Sequence, residues 1–175
     1  HPEAYKFISI DLADRLEQRN DLIKACNPTP RLFIVSTVEA LPVAEDIKLN
    51  LDHADIDVTL WSQPDTFQAG SYTLESLEKA IKSHDFGLAI MSADDVVISR
   101  KVELAAPRDN VIFELGLFMG SLGRERTLIA FPRGHESKLA SDLQGLTPLT
   151  YKDTPDKVDT KNLATQLVKI IKEKG

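Results

Sequence analysis

Four short apolar runs set the strongest constraint on what this chain can form. They are Leu32 to Ser36 (LFIVS), Ile56 to Trp61 (IDVTLW), Phe86 to Met91 and Thr127 to Phe131. Strands buried on both faces read this way, because a parallel sheet covered by helices leaves neither side to water. Apolar residues at helical spacing fill the intervals: around Val43 to Leu51, at Leu74, Leu77, Ala80 and Ile81, from 110 to 123, and at Leu163, Leu167, Ile170 and Ile171. Leu146 to Tyr151 is a weaker fifth strand. The alternation predicts an α/β domain with a five-stranded parallel sheet and helices on both faces. Ligands of such sheets sit beyond the carboxyl ends of the strands, where strand order reverses. The residues just past those ends are Ser36-Thr37, Trp61-Ser62 and Ser92 to Asp95, and the Asp94-Asp95 turn should lie near the start of the helix that follows.

That helix, within Pro107 to Gly123, is the unusual one. Between Asp109 and Arg124 it carries a single charge, Glu114, among Val111, Ile112, Phe113, Leu115, Leu117, Phe118 and Met119. Pro107 and Asp109 suit a helix start and Gly123 suits its end. An unpaired buried carboxylate costs several kcal/mol, roughly, and tends to take up a proton. Glu114 is therefore either a structural glutamate satisfied by a partner such as Arg108, or a functional group facing a cleft. Gly116 and Gly120, four apart, are expected to allow close helix packing.

A net charge of −6 with pI near 5.2, and no basic run interleaved with aromatics, argues against nucleic acid as the main ligand. One cysteine, Cys26, excludes an internal disulfide framework and fits a reducing, cytoplasmic setting. No apolar run approaches the length of a membrane span and no signal peptide is visible. The chain opens His1-Pro2 without a methionine, as a piece cut from a longer protein would. Residues 3 to 24 predict an amphipathic helix, with Tyr5, Ile8, Leu12 and Leu16 on one face. Such a helix needs a surface elsewhere to cover its stripe. Asn27-Pro28-Thr29-Pro30 reads as the linker that ends it, dividing residues 1–27 from a domain over 30–175.

Familiar chemical motifs are missing. The glycines at 116, 120 and 123 lie within and after a helix and form no dinucleotide fingerprint. No lysine follows a glycine run, no serine sits in a nucleophile elbow, and the four histidines show no metal spacing with one another or with Cys26. Asp94-Asp95 reads more readily as a solvated turn than as a metal site. A phospho-receiver needs acidic residues after the first strand, where this chain has Ser36-Thr37-Val38. One glutamate near a cleft with hydroxyls, an aromatic and a helix start remains. This suits cleavage of an N-glycosidic bond to ribose. Positive charge builds on the sugar as the bond breaks, and a carboxylate beside it stabilises that charge. Nicotinamide departs neutral, so no strong general acid is needed. Trp61 or Phe67 would stack on a base or on the nicotinamide; for Trp61 the alternative is a core residue at a strand end.

The blocks LFIVS at 32–36, WSQPDTFQAGSYTLESL at 61–77, FGLAIMSADD at 86–95, RDNVIFELGLFMGSLGRERTLIAF at 108–131 and KLASDLQGL at 138–146 carry a resemblance. From Arg31 to about Tyr151 the chain resembles bacterial TIR domains of anti-phage cyclic-nucleotide-signalling effectors, and the block around Phe113-Glu114-Leu115-Gly116 is its specific part. The resemblance implies a flavodoxin-like TIR fold and hydrolysis of NAD+, as substrate rather than cofactor, to nicotinamide and ADP-ribose products. It implies Glu114 as the catalytic carboxylate. Ser36, Thr37, Trp61, Phe67 and Asp94 are the expected substrate contacts, with Arg108 and Asn110 positioning Glu114 or a phosphate, or else capping the helix start. No metal is expected. The family commonly self-associates by stacking TIR domains, the loop from Ser62 to Thr73 completing a neighbour's site. Residues 1 to 23 are similar to the last helix of cyclic-nucleotide-binding domains. A cyclic pyrimidine nucleotide would then act through an upstream domain, and this fragment alone is expected not to bind one. Two rivals stand beside this reading: a non-catalytic TIR assembly module, and a nucleoside deoxyribosyltransferase-like enzyme, which also pairs this sheet type with a glutamate.

Overall fold

The computed structural model describes residues 27–63, 74–92, 95–99, 102–106, 109–134, 146, 148–154 and 157–174. Its elements run β1 (Arg31–Val35), α1 (Leu41–Leu51), β2 (Asp57–Leu60), α2 (Leu74–Lys82), β3 (Phe86–Ile90), β4 (Asp95–Ser99), β5 (Val102–Ala106), α3 (Asp109–Leu122), β6 (Thr127–Pro132), β7 (Leu149–Thr154), β8 (Lys157–Asp159) and α4 (Lys161–Lys174). The helix expected over residues 3 to 24 lies outside the described residues.

The main sheet has the order β2-β1-β3-β6-β7-β8. The first five strands are parallel, with Leu32 opposite both Val58 and Phe86, and Leu88 opposite Leu128. β7 joins with Ala130 opposite Leu149. The five expected parallel strands are thus present, but the sheet is six-stranded. β8 turns back antiparallel to β7, Lys152 opposite Asp159. Its three residues Lys157-Val158-Asp159 are too short and polar to stand out as a strand in the sequence.

A second departure lies between β3 and α3. The sequence reading passes from a turn at Asp94-Asp95 directly to the helix. The structure instead inserts an antiparallel hairpin, β4 with β5, in which Asp95 is opposite Ala106 and opens a strand. The apolar run around Val96 to Ile98 carries that β signal.

Side chains of each parallel strand alternate between two cores, as a pleat requires. Leu32, Ile34, Phe86, Leu88 and Leu128 face α1 and α4, whose Val43, Ile47, Leu51, Leu163 and Leu167 complete that layer. Phe33, Val35, Ala89, Met91 and Ile129 face α2 and α3, meeting Leu77, Ile81, Val111, Leu115 and Phe118. All five residues of β3 are buried, which explains the absence of polar alternation in FGLAI. No helix among the described residues is long and apolar enough to cross a membrane.

Gly123, at φ +81°, ends α3 in the left-handed region as its position in the sequence suggests. Gly116 and Gly120 do not serve the packing expected of them. A Cβ on either meets no atom within 4 Å, so no element among the described residues packs closely against them.

Candidate active site

Strand order reverses between β1 and β3, since β1 pairs with β2 on one side and β3 on the other. The tips of these strands are where the sequence places its hydroxyls. Ser36 and Thr37 follow β1 and are both buried; Ser92 follows β3 and is half-buried. Thr37 Oγ1 and Ser92 Oγ lie 3.2 Å apart and bridge the switch point. Thr37 Oγ1 also accepts the Ala40 N–H at 3.2 Å, which holds the turn leading into α1.

Trp61 follows β2. Its backbone N–H donates to the Ile34 carbonyl at 3.0 Å, extending the β1–β2 pairing by one residue. Its indole N–H donates to Ser36 Oγ at 3.0 Å, and the Ser36 hydroxyl donates to the Thr37 carbonyl at 3.0 Å. The ring packs against the α2–α3 core and remains partly exposed. Trp61 is thus both a strand-end core residue and a ring with an open side. Gln63 steadies the turn, its Oε1 accepting the Leu60 N–H at 3.1 Å.

Glu114 comes to this place on α3. The buried stripe of that helix is Val111, Glu114, Leu115 and Phe118, so the carboxylate sits among the residues that face the sheet, with 8% of its surface exposed. Its height follows from a close contact lower down. The Phe118 ring lies against Gly87 on β3, where a Cβ would stand 2.6 Å from it. α3 connects the parallel strands β3 and β6 and so runs antiparallel to them. Glu114 is one turn before Phe118, about 6 Å toward the strand tips. At about 3.3 Å per strand residue it stands level with Ala89. Helical side chains tilt toward the helix N-terminus, which here is also toward the tips. The carboxylate is therefore directed to the Ser92 end of β3. Glu114, Thr37, Ser92 and Trp61 each take part in further interactions, so none stands unpartnered.

Of the residues expected at the site, Ser36, Thr37 and Trp61 are joined by hydrogen bonds, and Glu114 lies on the buried stripe of α3. Asn110 is exposed on the first turn of α3. Phe67, Asp94 and Arg108 lie outside the described residues. Ser92 is the addition. The sequence placed it past a strand end but gave no sign that it would bond to Thr37. Among the described residues no group of three His, Cys, Asp or Glu side chains converges as metal ligands would. A cavity of about 240 Å³ opens elsewhere, bordered by Arg133, Tyr151, Lys152 and Lys161, and shares no residue with this cluster.

Comparison with known proteins gives this site a context. Residues 31–153 match the family model described as CAP12/Pycsar effector protein, TIR domain. The chain belongs to this family of TIR domains. The span covers β1 to β7, and with them every described residue of the cluster. The TIR domain is 46% identical over 154 residues to Pycsar effector protein PaPycTIR of Pseudomonas aeruginosa, covering 88% of this chain and 50% of that protein. It is 40% identical over 151 residues to Pycsar effector protein BcPycTIR of Burkholderia cepacia, covering 86% and 50%. Over 128 residues it is 44% identical to CD-NTase-associated protein 12 of Niabella drilacis, covering 71% and 40%. The chain thus spans about half the length of these relatives.

Proposed function

We propose that this TIR domain hydrolyses NAD+ to nicotinamide and ADP-ribose products, and that Glu114 is its catalytic carboxylate. The observation that carries the reading is the position of Glu114, a buried acid on the sheet-facing stripe of α3, whose one other charged residue is Asp109 on the exposed first turn. Cleaving the nicotinamide–ribose bond leaves the bonding electrons on the nicotinamide nitrogen, whose ring charge they neutralise. Positive charge develops on the ribose. A carboxylate beside the sugar stabilises that charge in a partly dehydrated setting, where electrostatic stabilisation is larger than in water. The same carboxylate accepts hydrogen bonds from the ribose hydroxyls. Water then attacks the ribosyl carbon and loses a proton, giving ADP-ribose. Trp61, fixed by Ser36, offers its open side for stacking, and Thr37 with Ser92 lines the floor. Phe67, Asp94, Arg108 and Asn110 belong to the same proposal as substrate or positioning residues.

The relatives' names extend the proposal to the whole protein. Two are called Pycsar effector proteins. This domain is then the effector half of a cyclic-nucleotide-activated anti-phage protein that depletes NAD+, driven by a sensor region outside residues 31–153 and working through assembled TIR domains.

The test is nicotinamide release from NAD+, measured across protein concentration with products separated by chromatography. Glu114→Gln keeps the side-chain volume and removes the charge. It is expected to abolish release while leaving the circular dichroism spectrum unchanged. Undiminished release by that variant removes Glu114 from the chemistry. No release at any concentration from the clustered parent chain favours the assembly-module reading.

A further inference from the structure

The walls of the cavity of about 240 Å³ gather basic side chains in a chain whose net charge is −6. Arg133 comes from the turn after β6, Lys152 from β7, and Lys161 opens α4; all three are exposed. None has an ion-pair partner among the described residues. Thr150 and Asn162 add neutral hydrogen-bonding groups. Backbone pairing holds the arrangement. The Arg133 N–H donates to the Tyr151 carbonyl at 2.7 Å, which ties the end of β6 to β7. Lys152 stands opposite Asp159 where β8 turns back along β7. Asp159 is the one acid among the described wall residues, and its Oδ1 already accepts the Lys161 N–H at 3.2 Å. Three cations against one acid leave two positive charges around the cavity.

We propose that this cavity binds the phosphoryl group of a small ligand, at a site separate from the tips of β1 and β3. A concave surface lined by one sign of charge focuses its field and concentrates counter-ions there. A phosphomonoester carries about −1.5 to −2 charges at neutral pH, which matches the two uncompensated cations; a single carboxylate leaves one of them unanswered. The planar fork of Arg133 suits two phosphate oxygens at once, and the lysines act as point charges beside it. The space is smaller than the about 300–1,000 Å³ of pockets that take drug-sized ligands. Its size therefore suits inorganic phosphate or a phosphorylated sugar and is too small for a whole dinucleotide. The proposal does not rest on NAD+ cleavage, since none of the cavity's wall residues belongs to the Glu114 site.

The experiment is isothermal titration of the 175-residue chain with inorganic phosphate and with ribose 5-phosphate at neutral pH and low salt, with thermal melts as a control on folding. Saturable one-to-one binding is expected. Tighter binding of ribose 5-phosphate identifies a phosphorylated sugar as the ligand; otherwise the ligand is the free ion. Arg133→Gln and Lys161→Gln should each weaken binding by about tenfold or more, as loss of a charge-assisted bond does. Lys82→Gln removes an exposed cation at the end of α2, away from the cavity, and should leave the affinity within about twofold. Asp159→Asn removes the wall's negative charge while keeping an acceptor for the Lys161 N–H, and should tighten binding several-fold. Glu114→Gln should bind phosphate as the parent does. Titrations that do not saturate, equal losses from Lys82→Gln and Arg133→Gln, or an unmoved affinity in Asp159→Asn overturn the proposal. Loss of binding in Glu114→Gln overturns it as well, by moving the phosphate to the strand tips.

Discussion

A Cβ placed on Gly87 would stand 2.6 Å from the ring of Phe118, closer than a real side chain could remain. The contact seats α3 on β3, and Glu114 is one turn along the same helix. Gly87→Ala should therefore act on both stability and activity. Overpacking of this kind costs about 1–3 kcal/mol, readable as a lower urea midpoint. The helix can relieve the clash only by lifting or sliding, which moves the carboxylate relative to the strand tips. Nicotinamide release is expected to fall even where the variant is fully folded. Adding Phe118→Leu, which removes the clashing ring atoms, should recover part of the stability. A folded Gly87→Ala with parental turnover refutes the link between this contact and the site.

Trp61 is the sole tryptophan, so its emission reports directly on the tips of β1 and β2. Ser36→Ala removes the acceptor of its indole N–H, a bond whose net worth is about 1 kcal/mol. The expected result is a shifted emission maximum and a weaker response to added NAD+. The KM should rise more than kcat falls, since the hydroxyl holds the ring rather than reaching the reacting atoms. An unaltered spectrum and unaltered KM would mean that Ser36 does not position the ring.

How far the sequence discloses this molecule depends on the length of the signal each element carries. β1, β3 and β6 are continuous apolar runs, and they emerge within a residue or two of their expected bounds. Glu114 was visible because a lone charge in an apolar helix is a long-range contradiction that composition alone exposes. The hairpin β4–β5 was not, because its five-residue strands sit inside what reads as a connection between strand and helix. β8 is shorter still. Gly116 and Gly120 were misread for another reason. Spacing shows that two glycines share a helix face, but not whether that face turns inward or out. The Thr37–Ser92 bond joins residues 55 positions apart, and only strand order brings them together.

The α1–α4 side offers a test that separates stability from chemistry. Thr160 is fully buried. Its N–H and hydroxyl both donate to Asp46 Oδ2, at 3.0 and 2.8 Å, and its hydroxyl accepts from Asn50 Nδ2 at 3.1 Å. Thr160→Val keeps the shape and removes the hydroxyl. The lost bonds should cost about 1–3 kcal/mol, measured by thermal or urea unfolding. KM for NAD+ should not move, because the network lies across the sheet from Glu114. A changed KM at unchanged stability would show coupling between the two layers that this packing does not provide.

Asp85 holds the entry of the chain into the sheet. Its backbone N–H donates to the Arg31 carbonyl at 2.9 Å. Its Oδ2 accepts the Arg31 N–H at 2.9 Å and the Asn27 side-chain amide at 2.8 Å. The other oxygen, Oδ1, is buried with no partner among the described residues. A buried group left half-satisfied loses stability at that spot, so the two bonds to Oδ2 must carry a compensating role. They tie Asn27 and the start of β1 at Arg31 to the loop before β3. Asp85→Ala leaves both donors without this acceptor and should raise amide hydrogen exchange at Arg31 at least tenfold. Phe33, two residues deeper in the same strand, should change far less. Asn27→Ala removes only the linker's bond and should spare Arg31. Equal acceleration at Arg31 and Phe33 would indicate global destabilisation, and Asp85 would then be a core residue rather than a clamp on the linker.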